Sequence, residues 1–138
     1  MSLPIILALG GLIGFGFSNF FWKVAGINKV YPASFMVVET LVVLIVAITI
    51  HFLQNQTFVL VPRMVGLASL AGLSAGFAIF ATMSAFLVGG EASIVSPITS
   101  LGFVVVVLLA YVLLKEPVTP TKFVGSGLAI VAIILLSR

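Results

Sequence analysis

Three carboxylates, Glu39, Glu91 and Glu116, one histidine, His51, and no cysteine make up the reactive inventory of this 138-residue chain. Without cysteine there is no thiolate metal site, no disulfide framework and no sulfur nucleophile. The carboxylates and the histidine fall into no acid-base or metal-ligating spacing. No catalytic residue, metal or cofactor is expected, and the chain does not read as an enzyme. What remains is a set of isolated polar groups inside apolar runs. Glu39 lies about six residues into the run Ala33 to Leu53, roughly 9 Å along a helix axis. An ionised carboxylate held that deep in a bilayer costs up to about 2.5 to 3.5 kcal/mol. Two readings account for it. Glu39 either lines a cavity, where it binds a cationic substrate or exchanges a proton, or leans outward to pair with Lys23 or Lys29 near the same end of the run.

Asn19 and Lys23 are the next candidates. With Gly16 they fall at i, i+3 and i+7, which puts them on one helix face that is polar towards its C-terminal end. Asn19 then either walls a pore or hydrogen-bonds a neighbouring helix, and Lys23 either meets a substrate or ion partner or snorkels to the headgroups. Ser93, Ser96 and Ser100 share a second face, with Thr99 adjacent and Pro97 between them. Proline removes a backbone donor and kinks a helix. Ser96 and Ser100 therefore either line a substrate path beside freed carbonyls or satisfy the backbone that the proline disturbs. Trp22, Tyr31 and Tyr111 stand near the ends of apolar runs, as an aromatic belt would. His51, lacking a second histidine, reads as an interface residue.

The elements that must carry these groups follow from composition. The chain is 62% hydrophobic and 7% charged, against roughly 25% charged in soluble domains. Lipid must be its main solvent. A bilayer core of about 30 Å needs roughly 20 helical residues. Where charges, prolines and amides interrupt the apolar runs, five transmembrane helices are predicted: about 3–22, 33–53, 64–88, 92–114 and 121–137. The first lacks a basic leading region and a small-x-small cleavage site, so it reads as a retained span. Thr119 is placed to cap the fifth, with Pro120 at its first position. Phe58 to Val61, apolar within the second connection, is expected along the interface. Val-rich stretches such as Val104 to Val107 suggest strands in water, but an open strand edge in lipid leaves backbone groups unsatisfied. The apolar runs also lack the alternation of a membrane barrel. The fold class is an all-α integral membrane protein, a single five-helix domain over 1–138, multi-pass in the cell (inner or plasma) membrane.

Small residues decide how such helices pack, since apolar helices in lipid rely on close backbone approach. Gly10 and Gly14 continue to Ser18 at intervals of four, and Ala68 continues to Gly72 and Gly76. These stripes serve packing within a subunit or a seam between two. The six Lys and Arg are scattered singly, which is no nucleic-acid footprint. Five spans place the termini on opposite faces. Arg63, Lys115 and Lys122 fall on one face, and Lys23, Lys29 and Arg138 on the other. With no positive-inside bias a chain inserts both ways round, and two oppositely inserted copies reproduce the inverted repeat on which many transporters are built.

Several pieces together carry a resemblance. They are Gly16-Phe17-Ser18-Asn19 followed by Lys23, Pro32 opening the second span, Ala92 to Pro97 opening the fourth, and Leu114-Lys115-Glu116-Pro117-Val118-Thr119 followed by Gly125. Over nearly its whole length the chain resembles a single EamA-type domain of the drug/metabolite transporter superfamily, whose usual members carry two such domains in tandem. It departs from that pattern at Glu39, where the family often has arginine, and at Ala132, where a second glycine is common. The resemblance implies transport of small metabolites or drug-like solutes by alternating access, with a central cavity between two inverted five-helix units. Half-size members are similar to the small multidrug resistance proteins, which pair as antiparallel dimers and use a membrane glutamate for proton exchange. The expected partners are therefore the lipid bilayer, a small-molecule substrate and a second, antiparallel copy of the chain. Substrate is expected near the midplane, held by residues of the first, second and fourth spans. The rival reading is an accessory or structural subunit that pairs with a different five-helix chain.

Overall fold

A segment that crosses lipid must satisfy its own backbone, which leaves the helix as the available form for a lone apolar run. In a computed structural model of the chain, residues 2–55, 57–117 and 119–136 are described, and every regular element among them is an α-helix. The expectations that touch Gln56, Val118, Ser137 and Arg138 lie outside the described residues. The helices are α1 (Leu3–Ile27), α2 (Pro32–Leu53), α3 (Pro62–Leu87), α4 (Ala92–Ser100), α5 (Gly102–Leu113) and α6 (Pro120–Leu136). With α4 and α5 taken together as the fourth, these are the five expected spans. Four are long and apolar enough to cross a membrane: α1, α2, α3 and the run Ala92–Leu113. At 17 residues α6 is the shortest of the five spans. The chain is a multi-pass membrane protein.

The helix ends explain the differences from the expected boundaries. α1 runs past Trp22 to Ile27, because neither a lysine nor a glycine near the end of an apolar helix is enough to stop it. The stop is a left-handed residue, Lys29, with φ of 56°. Around it the Val30 N–H reaches the Ala25 carbonyl at 3.0 Å and the Lys29 N–H reaches the Gly26 carbonyl at 3.1 Å, the paired bonds of a Schellman end. Prolines open the helices that follow, Pro32 in α2 and Pro62 in α3, where the missing N–H has no intrahelical partner anyway. Thr119 caps α6 as expected, its hydroxyl accepting from the Lys122 N–H at 3.4 Å.

The expected fourth span is continuous in sequence but broken in structure at Leu101, between α4 and α5. Three local causes coincide there. Pro97 lies inside α4, Gly102 follows the break, and the Ser96 carbonyl receives the hydroxyls of Ser100 (2.8 Å) and Thr99 (3.0 Å). Side-chain bonds of this kind compete with the helical ladder and bend it. The Leu101 N–H closes on Ile98 instead, at 3.1 Å, a tighter turn.

The chain divides into two compact units, residues 1–20 with 90–138, and residues 21–89. In the first unit α4 packs on α6. In the second α2 packs on α3, and the last turns of α1 join them. The buried side chains Trp22, Ala25, Pro32, Thr82, Met83 and Phe86 belong to this second unit. They come from the C-terminal ends of α1 and α3 and the first residue of α2, so its core sits at one end. Elsewhere large apolar side chains such as Leu12, Val43 and Phe77 are exposed, as they must be when lipid is the solvent. Hydroxyls among them turn to their own helix: Thr49, Ser69 and Ser74 donate to the carbonyls of Ile45, Val65 and Leu70 at 2.8 to 2.9 Å, which keeps these three donors paired in hydrocarbon.

Candidate functional site

The strongest polar arrangement lies in the second unit and is built on a glycine. A Cβ added to Gly26 would stand 2.8 Å from the carbonyl carbon and Cβ of Phe86 and 2.9 Å from its oxygen. Only a residue without a side chain allows the end of α1 to lie so close to the backbone of α3. Trp22 and Ala25, at i−4 and i−1 from Gly26, are buried by the same approach. Trp22 then points at α2, where its indole Nε1–H donates to Oε1 of Glu39 at 3.0 Å. The other oxygen, Oε2, is buried and has no hydrogen-bond partner among the described residues.

Two lysines of this unit have contacts of their own on α3. Lys29 Nζ donates to the Leu87 carbonyl at 3.2 Å, covering one of the orphan carbonyls at the end of α3. Lys23 Nζ stands 5.8 Å from the centre of the Phe86 ring, within cation–π range. Oε2 of Glu39 accepts a hydrogen bond from neither lysine among the described residues. Glu39 is half-buried in α2, the span with the highest mean hydropathy, 2.5, and the Trp22 indole that donates to it is neutral.

Sequence reasoning missed Trp22, placed there in the aromatic belt with Tyr31 and Tyr111. Both tyrosines are indeed exposed, at 63% and 59%, whereas Trp22 is 8% exposed. The available signal was that Trp22 falls on the Gly26 face of α1, with a donor able to reach a membrane carboxylate. Gly26 likewise falls beyond the expected end of the first span, at about residue 22.

The remaining candidates divide between the units. Lys23 belongs with Glu39 in the second; Asn19, Ser96 and Ser100 belong to the first. Asn19 Nδ2 donates to the Phe15 carbonyl at 3.0 Å on its own helix, and its Oδ1 is buried without a hydrogen-bond partner. The Ser100 hydroxyl is committed to the Ser96 carbonyl, which serves the backbone around Pro97. Gly10, Gly14, Gly72 and Gly76 have nothing within 4 Å of where a Cβ would stand, so their faces are open within the chain. His51 meets Phe58 edge-on, with ring centres 5.5 Å apart, which holds the start of the apolar segment Phe58 to Val61 against the end of α2. Among the described residues no cluster of His, Cys, Asp and Glu could hold a metal ion.

The buried carboxylate oxygen in an apolar span makes Glu39 the candidate site of the second unit. No solved structure matches the chain. An uncharacterized protein of Methanocaldococcus jannaschii, MJ1333.1, is 30% identical over 139 residues, covering 99% of this chain and 98% of its own length. The model of the EamA-like transporter family matches residues 2–138. The chain belongs to the EamA-like transporter family of the drug/metabolite transporter superfamily.

Proposed function

We propose that the chain is a secondary transporter of small organic solutes that works by alternating access as an antiparallel homodimer in the cell membrane, coupled to protons through Glu39. The observation that carries this reading is Oε2 of Glu39, buried within a transmembrane helix and without a hydrogen-bond partner. Such an oxygen is costly unless it is neutralised for part of a cycle, by a proton or by a cationic solute. A carboxylate that alternates between the two couples their movements. Asn19, whose Oδ1 is also buried without a partner, is the second candidate for contact with solute. In this reading Ser96 and Ser100 contribute if their helix opens at Leu101, and Lys23 balances charge at the Glu39 end.

The dimer is supported by two features. Basic residues divide evenly between the two faces expected for five spans, and the Gly10–Gly14 and Gly72–Gly76 faces are open in the single chain, as interfaces between lipid-embedded helices require. In this reading the five helices act as one domain, and a second copy supplies the inverted half.

The test is uptake driven by a pH gradient in reconstituted vesicles, screened over small organic cations. The expected result is uptake that disappears in Glu39→Gln while the protein remains folded. Uptake unaffected by Glu39→Gln removes the role given to this residue. A single cysteine at Asn55, labelled with an impermeant reagent before and after permeabilisation, tests the dimer. Labelling of about half the chains from each side is expected. Labelling from one side only would replace the homodimer with an accessory subunit awaiting a different five-helix partner.

A further inference from the structure

The Glu39 carboxyl is not symmetric in its surroundings. Oε1 accepts the Trp22 indole N–H at 3.0 Å, whereas Oε2 is buried without a hydrogen-bond partner among the described residues. The indole nitrogen is a donor only and cannot take the proton away. The ring is also fixed in place: Trp22 is 8% exposed, one turn from the contact where Gly26 touches the Phe86 backbone.

We propose that Trp22 is the positioning residue of a proton site in which the indole holds Oε1 and Oε2 receives the proton. The lone pair on Oε2 takes a proton from a hydronium ion, which leaves as water. Oε1 becomes the carbonyl oxygen and keeps its hydrogen bond from the indole. A neutral hydroxyl without a partner is much less costly in an apolar span than a charged oxygen without one, so the proton settles on the oxygen that Trp22 leaves vacant. The charged groups on the elements around Glu39 are few. Lys23 on α1 stands over the Phe86 ring, and Lys29 after α1 caps the end of α3. On α2 itself His51 lies more than three turns further along, and α3 carries only Arg63, at its opposite end.

The inference rests on the reading of Glu39 as the proton-coupling residue, and one experiment separates the two. The protein is reconstituted in vesicles and titrated with acid, with the proton itself as the probe. The infrared carbonyl band of a protonated carboxyl is followed together with the emission of Trp22, the sole tryptophan of the chain. The expected result is a band and an emission change that titrate together and are both lost in Glu39→Gln. In Trp22→Phe the band persists but moves to higher wavenumber, since its oxygen has lost a hydrogen bond. A band that does not move in Trp22→Phe, or an emission that stays flat while the band titrates, overturns the role of Trp22 and leaves the proton role of Glu39 standing. Absence of any Glu39-dependent band across the titration overturns the proton role itself, and the inference with it. Should Trp22→Phe fail to fold, the emission of unsubstituted Trp22 decides, because it requires no change at that position.

Discussion

Replacing Gly26 by alanine adds a single carbon, and the structure states what that carbon meets. Its nearest neighbours would be Phe86 backbone and Cβ atoms at 2.8 to 2.9 Å, closer than carbon atoms in contact approach, about 3.5 Å or more. The atoms belong to the backbone of α3 and cannot turn aside as the tip of a flexible side chain would. Relief requires the ends of α1 and α3 to separate by most of 1 Å, which loosens Trp22, Met83 and Phe86 together. Overpacking of this kind costs about 1 to 3 kcal/mol, and alanine returns at most about 1 kcal/mol of helix propensity. The expected net loss is about 1 to 2 kcal/mol, or roughly a 5- to 30-fold fall in the ratio of folded to unfolded protein. Gly72→Ala is the matched control, since nothing lies within 4 Å of its Cβ position, and propensity alone should leave the chain equal or slightly more stable. Reversible denaturation in micelles, followed by Trp22 emission, measures both. If Gly26→Ala proves as stable as Gly72→Ala, the close approach of α1 to α3 does not hold the unit together and the account of the site built on it fails.

Other expectations follow from the same geometry. Glu39→Gln should abolish proton-driven uptake with little change in stability, because glutamine keeps an acceptor for the Trp22 indole; uptake in vesicles reads the first and denaturation the second. Lys115→Gly should raise stability by up to about 1 kcal/mol, since Lys115 holds φ at 56°, where an L-residue pays about 1 to 2 kcal/mol and glycine is limited by its greater freedom when unfolded. Lys29→Gly, at the same φ, should gain less, because it also loses the bond from Nζ to the Leu87 carbonyl; thermal denaturation of the pair gives the difference. Cysteine at Asn55 should be labelled in about half the chains of intact cells and in the rest only after permeabilisation.

The spans were legible because hydropathy over about twenty residues is a property of the segment, not of its neighbours. Pro32, Thr119 and Pro120 marked helix starts correctly for the same reason: a cap or a proline acts within one turn. The end of α1 was misjudged because Lys23 and Gly26 resemble a stop in sequence, while the stop itself depends on a left-handed lysine that local sequence does not advertise. The break at Leu101 was half legible. Pro97 announced a kink, but its position three to four residues further on depends on hydroxyls converging on the Ser96 carbonyl. Glu39 stood out by charge alone. Its partner did not, since Trp22 and Glu39 are 17 residues apart on different helices and only the packing of α1 on α3 turns the indole towards α2.

The buried end of the second unit has a mechanical consequence. Two helices fastened together at one end behave as a pair of levers with a common fulcrum, and displacement grows with distance from it. α2 has 22 residues and is therefore about 33 Å long, so a tilt of about 10° carries its far end through about 6 Å. Glu39, about 10 Å from the fastened end, moves by less than about 2 Å under the same tilt. Geometry of this kind lets the far end of α2 swing while Glu39 stays nearly where it was.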